Sequence, residues 1–110
     1  MQTSATSVWE TTTARQLSGV LADIDNDQMM QNFLRDVMTE KEIIEISSRL
    51  EAARMLKQGR KYTEIIEQTK LSSRTIARIS DWMQNGQSGY ESALSIIETR
   101  HAHMSPDRAE

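Results

Sequence analysis

Between positions 57 and 78 the chain carries six cations, Lys57, Arg60, Lys61, Lys70, Arg74 and Arg78, against only two carboxylates, Glu64 and Glu67. That concentration suits an anion, and its residue types suit a nucleic acid. An arginine can donate two hydrogen bonds to guanine or meet a phosphate, a serine can contact either, and an alanine methyl can rest on a thymine methyl. Ser72, Ser73 and Ala77 are interleaved with the arginines. The plain alternative is a solvated helix surface, and charge alone favours it.

Other chemistry is poorly supported. His101 and His103 are two apart, so on a helix they face different directions and make a poor metal pair. Glu40, Glu42 and Glu45 suit the positive end of a helix, which explains them without a catalytic acid pair. There is no glycine-rich phosphate loop and no nucleophile beside a base, so neither an enzyme nor a cofactor site is expected. The chain has no cysteine, which removes disulfide scaffolds and thiolate zinc sites and fits a reducing, cytoplasmic setting.

The whole chain has 110 residues, 13 Lys plus Arg, 16 Asp plus Glu and a formal charge of −3, which argues mildly against nucleic acid. The average conceals a pattern. Residues 1–38 and 80–110 each carry −3, while residues 39–79 carry +3. No apolar run approaches the roughly 20 residues that cross a bilayer, so a soluble intracellular protein without a membrane partner is expected. At 37% hydrophobic residues the chain is somewhat poor in core material, and a core shared between two copies is plausible.

These side chains need helices to position them, and no segment alternates cleanly enough to read as a strand. An all-α fold of about six helices is expected. Residues 1–12 are rich in Ser and Thr and read as a flexible arm that could dock through Trp9. Thr13 can cap a helix reaching about residue 25, with Leu17, Val20, Leu21 and Ile24 as its apolar stripe. Asn26 and Asp27 can cap a second, striped by Met30, Phe33, Leu34, Val37 and Met38. Thr39 and Glu42 form a T-x-x-E capping box for a third, whose apolar face is Ile43, Ile46, Leu50, Ala53 and Leu56 and whose end is marked by Lys57 and Gly59. Helices over residues 62–69, 73–84 and 90–103 follow, the last stopped by Ser105 and Pro106. Most of the seven methionines, Met29, Met30, Met38, Met55 and Met83 among them, read as core or dimer packing.

The two short helices joined by Lys70, Leu71 and Ser72 have the frame of a helix-turn-helix, whose second helix enters the major groove. Such a motif must bury one apolar residue from its first helix, one from the turn and two from its second. Ile65, Leu71, Ile76 and Ile79 occupy those places and leave Ser73, Arg74, Ala77, Arg78 and Asp81 facing out. Two positions depart from the usual pattern: Lys70 stands at the turn entry where glycine is common, and Ile66 replaces a small residue. By pattern alone, an ordinary helical hairpin stays open.

The run Thr39-Glu40-Lys41-Glu42-Ile43, then Arg49-Leu50-Glu51-Ala52-Ala53-Arg54-Met55-Leu56, then Gly59, Tyr62, Ile65 and Ser73-Arg74-Thr75-Ile76-Ala77-Arg78-Ile79, closely resembles the bacterial Trp-repressor-like family, nearest to its YerC/YecD branch. The resemblance extends from about residue 14 to residue 98. It implies an intertwined homodimer that binds operator DNA as a transcriptional regulator. It also implies that Tyr62, Thr63, Ser72, Ser73, Arg74, Thr75 and Ala77 lie near the DNA. The family's tryptophan-binding members hold their ligand between the third helix and the recognition helix, where Thr39, Arg49, Thr75 and Arg78 match contacting positions. Where those members have glycine and serine lining the indole slot, this chain has Ile79 and Trp82, whose bulk is expected to fill it. Arg49 is then expected to pair with Glu45 or Glu51. The interval from Gly59 to Arg78 is also one residue shorter than in those members.

The expected protein is a homodimeric, helix-turn-helix regulator of double-stranded DNA, a repressor that does not respond to tryptophan. Lys61, Lys70, Arg74 and Arg78 supply its cationic contacts. The alternative is a helical protein–protein adaptor that keeps the fold without DNA binding. The expected layout is an arm over residues 1–12, a domain over 13–104 and a tail over 105–110.

Overall fold

A computed structural model describes the backbone of residues 8–109 and the side chains of residues 8–100. The expected arm falls largely outside the described residues, as do the side chains of His101 and His103 and the last residue of the tail. The chain forms α1 (Thr12–Asp23), α2 (Asp27–Val37), α3 (Glu40–Lys57), α4 (Tyr62–Thr69), α5 (Ser73–Asn85) and α6 (Gly89–Ala109), with no strand among the described residues. The fold is all-α. It divides into two units, residues 1–43 and residues 44–110.

In the first unit, α1 is capped two residues earlier than expected. Thr11, not Thr13, is the N-cap, and its Oγ1 accepts the Ala14 N–H at 3.2 Å. The helix also ends earlier, with Ile24 already extended. Asn26 caps α2 as expected, its side chain accepting the Met29 N–H at 2.8 Å. The apolar stripes of both helices form, but neither helix has a buried residue. Leu17 is 48% exposed and Val20 41%, and they line an open apolar groove with Thr13, Gln16 and Phe33. Two helices of this length offer each other too little surface to cover both stripes.

The second unit closes a core. Ala52, Ala53 and Met55 of α3, Ile65 of α4, Ile76 and Ile79 of α5 and Leu94 of α6 are buried, and Leu50, Leu56, Ile66, Leu71, Met83, Tyr90 and Ile97 pack around them. The capping box at the start of α3 is present in both directions: Thr39 N–H donates to Glu42 Oε1 at 2.9 Å, and Glu42 N–H donates to Thr39 Oγ1 at 3.1 Å. Gly59 ends α3 at φ 80°, with its N–H bonded to the Leu56 carbonyl and that of Arg60 to the Met55 carbonyl, a Schellman closure.

Two expectations need correction. The core face of α3 is centred on Ala52, Ala53 and Met55, while Ile46 is 56% exposed. This helix is apolar on more than one side, so its period does not select the buried one. Met55 is buried and Met83 packs on the core, while Met29 is half exposed on α2 in the single chain. Finally, α6 continues past Ser105 and Pro106 to Ala109. A proline removes one backbone hydrogen bond and kinks a helix, but near a terminus little remains to be lost by continuing.

Candidate nucleic-acid interface

The α4–turn–α5 segment is fixed from inside. Ile65, Ile76 and Ile79 are fully buried and Leu71 packs against them, which is the burial pattern a helix-turn-helix needs. Burial of each isoleucine contributes roughly 1.5–3 kcal/mol. At the turn, Lys70 takes the left-handed conformation at φ 65°, ψ 13°, and its N–H closes α4 onto the Ile66 carbonyl at 2.8 Å. The turn is therefore built in the usual way with a non-glycine residue, at a cost on the order of 1 kcal/mol.

Two polar devices within this segment were not anticipated from the sequence. The nearly buried Thr69 donates its hydroxyl to the Ile65 carbonyl at 2.7 Å and accepts the Leu71 N–H at 3.3 Å, so one side chain ties α4 to the turn. Glu64 accepts the Lys61 N–H at 3.2 Å and the Arg60 Nε at 3.1 Å, which closes the start of α4. The hydrogen bond from the Lys61 backbone, followed by that from Arg60, holds the Glu64 carboxyl below the ordinary carboxylate range. A signal was available for Glu64, because Lys61 and Glu64 have the same three-residue separation as Thr39 and Glu42.

The start of α5 is set by Ser72, whose Oγ accepts the Thr75 N–H and whose hydroxyl donates to Thr75 Oγ1, both at 3.1 Å. Ser72 is exposed, but its hydroxyl proton is already used in the cap. Ser73, Arg74, Ala77, Arg78 and Asp81 are all exposed, opposite the buried isoleucines. Lys61, Tyr62, Thr63 and Lys70 are exposed at the start of α4 and at the turn, whereas Thr75 is half buried.

The cations from Arg49 to Arg78 fall into two groups. Arg49 pairs with Glu45 at 2.9 Å, Arg54 with Glu51 at 2.9 Å, Lys57 with Glu98 at 3.0 Å and Arg60 with Glu64 at 3.1 Å. Arg54 grips Glu51 through Nε and Nη2 together, and this bond lowers the Glu51 pKa. Lys61, Lys70, Arg74 and Arg78 have no ion pair among the described residues, although Asp81 stands three residues beyond Arg78. The Asp81 carboxylate instead accepts the Asn85 amide at 2.9 Å. The neutralised cations lie before α4 and the unpaired ones lie on the α4–turn–α5 segment.

The residues matched to a ligand contact have local partners in three of four cases. Thr39 serves the α3 cap, Arg49 pairs with Glu45 rather than Glu51, and Thr75 serves the α5 cap. Ile79 and Trp82 do not act alike. Ile79 is fully buried in the core, whereas Trp82 is 42% exposed in the single chain. The reason is angular: Trp82 lies about 120° around α5 from Ile76, at the edge of the buried face.

An all-helical chain with a closed α4–turn–α5 motif and an outward row of unpaired cations belongs to the helix-turn-helix class. The family model described as Trp repressor protein matches residues 12–98, and the chain belongs to that family. It is 31% identical over 90 residues to the uncharacterized protein YerC of Bacillus subtilis (strain 168), covering 82% of this chain and 86% of that one, which places it on the YerC branch. Among solved structures, a TrpR-like protein from Eubacterium eligens superposes with a TM-score of 0.75 at 31% identity, covering 80% of this chain and 91% of the other. A crystal structure from Staphylococcus aureus gives a TM-score of 0.74 at 28% identity, covering 80% of this chain and 88% of the other. No helix among the described residues is long and apolar enough to cross a membrane.

Proposed function

We propose that this chain is a DNA-binding transcription regulator that acts in the cytoplasm as a homodimeric repressor through α4 and α5, without responding to tryptophan. The observation that carries this reading is the division among the cations. Arg49, Arg54, Lys57 and Arg60 are held in ion pairs, whereas Lys61, Lys70, Arg74 and Arg78 have none among the described residues and lie where a helix-turn-helix meets DNA. Exposed Ser73, Tyr62 and Thr63 lie beside them as further backbone contacts.

The second copy is supported by apolar surface that one chain leaves open. Leu17 and Val20, three apart on α1, are 48% and 41% exposed and share one open face, and Val37, Ile44, Ile46 and Ile96 add further exposed apolar side chains. A two-fold dimer reads a pseudo-palindrome with half-sites about one helical turn apart. The lack of a tryptophan response rests on Arg49 and Thr75 being engaged within the chain.

The deciding experiment is affinity for random and genome-selected duplexes across a salt series. Binding through phosphates predicts a log–log slope of roughly −0.9 per phosphate neutralised. Replacing Arg78 by alanine removes one contact per protomer and should flatten the slope by about 2 in a dimer. Absence of binding even at low salt would leave the adaptor reading in place.

A further inference from the structure

We infer that Arg74 is the base-reading residue of this regulator, recognising a guanine in the major groove of each half-site, with the Ala77 methyl against a neighbouring thymine. This rests on the DNA-binding reading above and names the chemistry that it reads.

The first argument is directional. At about 100° per residue, Arg74 is turned about 160° from Ile76 and about 140° from Ile79. Those two side chains are the buried anchors of α5, so Arg74 points almost directly away from the body of the domain. Arg78 has the same offset from Ile76 but lies only about 100° from Ile79, which turns it toward the flank where a phosphate strand runs. A recognition helix enters the groove N-terminus first, and Arg74 is the second residue of α5.

The second argument concerns availability. Arg74 has no carboxylate and no hydrogen-bond acceptor in its own chain among the described residues, so its guanidinium fork is free for a planar two-acceptor edge. In the major groove, guanine presents that edge through O6 and N7. The helix start beneath it is held rigid by the mutual Ser72–Thr75 hydrogen bonds, which preorganises the contact.

The third argument concerns space. Ala77 is one turn beyond Arg74 and is exposed, and its short side chain lets the helix approach the bases where a longer one would hold it away. The rise from Arg74 to Ala77 is about 4.5 Å, close to one base-pair step, so its methyl falls beside the base next to the guanine. Farther along the same face stands Asp81, whose charge repels phosphates and whose carboxylate is engaged by Asn85. The reading face therefore ends before Asp81.

The test begins with duplexes selected by the full-length protein, followed by affinity measurements on one selected site carrying single-atom changes. Replacing the assigned guanine with 7-deazaguanine, which lacks the N7 acceptor, should weaken wild-type binding by about 5- to 100-fold. Deoxyuridine in place of the adjacent thymine removes only a methyl and should cost a few-fold. Arg74→Ala should lose the guanine preference at that one position, keep the rest of the motif, and show no further loss with 7-deazaguanine. Its thermal unfolding and circular dichroism should match wild type, because Arg74 is exposed and unpaired. If Arg74→Ala selects an unchanged motif, or still suffers the full 7-deazaguanine penalty, the assignment is wrong. Steep salt-dependent binding with no 7-deazaguanine penalty overturns the guanine contact and leaves the DNA-binding reading intact; absence of binding to any duplex overturns both.

Discussion

Residues 1–43 and residues 44–110 carry apolar stripes of the same kind, yet they reach opposite ends. In the first unit α1 and α2 bury no side chain, whereas in the second the α3–α6 helices bury seven. Composition does not separate them, since Leu17 and Val20 are as apolar as Ile65 and Ile76. The difference is the number of surfaces available. Four helices can surround a common centre and exclude water from it, while two adjacent helices each keep a face open. The second unit therefore holds the exposed face of α5 on a core of its own, and the first has a stripe that only another surface can cover.

The strongest way to break this comparison is to cut the core of the second unit. Ile76→Ala should destabilise the protein by about 2–5 kcal/mol, measured by urea denaturation, because a fully buried isoleucine leaves a cavity. A change below 1 kcal/mol would show the core to be looser than the burial implies.

The first unit should answer to concentration. The double variant Leu17→Glu, Val20→Glu charges the open groove and should convert the proposed dimer into a species of 12.6 kDa in light scattering, with a melting temperature that no longer rises with protein concentration. Retention of the wild-type mass would move the dimer contact elsewhere.

A smaller effect lies at the turn. Lys70→Gly relieves the left-handed strain and should raise stability by up to about 1 kcal/mol, while it removes one unpaired cation and weakens DNA binding in low salt. If both quantities stay unchanged, Lys70 is neither strained nor in contact with DNA.

The smallest effect is pH-dependent. Glu64 has a folded pKa below its unfolded value, so the stability it contributes is present above the ordinary glutamate pKa near 4.3 and is lost as pH falls through the folded value. Glu64→Gln should remove that contribution at neutral pH and flatten the acid limb of the stability curve. An acid limb identical to wild type would show that the Lys61 and Arg60 hydrogen bonds carry no net weight.

Much of the fold could be read locally, for a local reason. The Thr39–Glu42 box, the Asn26 cap, the Gly59 terminator and the boundaries of α4 depend on residues within a few positions of each other. The helix-turn-helix anchors were legible too, because the spacing of Ile65, Leu71, Ile76 and Ile79 sets which side of each short helix is inward. Where a signal was ambiguous, the sequence reading went astray. Thr11 and Thr13 are equivalent caps by residue type, and the preference for Thr11 depends on the backbone that precedes it. Pro106 marks a cost to the helix, not a certain end.

The sequence by itself determined that the chain is helical, where its positive charge is concentrated, and which family it resembles. Those properties are carried by near neighbours and by residue type. The tertiary structure decided which side of α3 faces the core, that Trp82 remains at the surface, and which cations keep their charge available. Lys57 meets Glu98 only because α3 and α6 fold back together, and Asp81 accepts the Asn85 amide and forms no ion pair with Arg78. Such choices depend on competition among partners distant in sequence or equally spaced along a helix, and neither periodicity nor net charge contains that information.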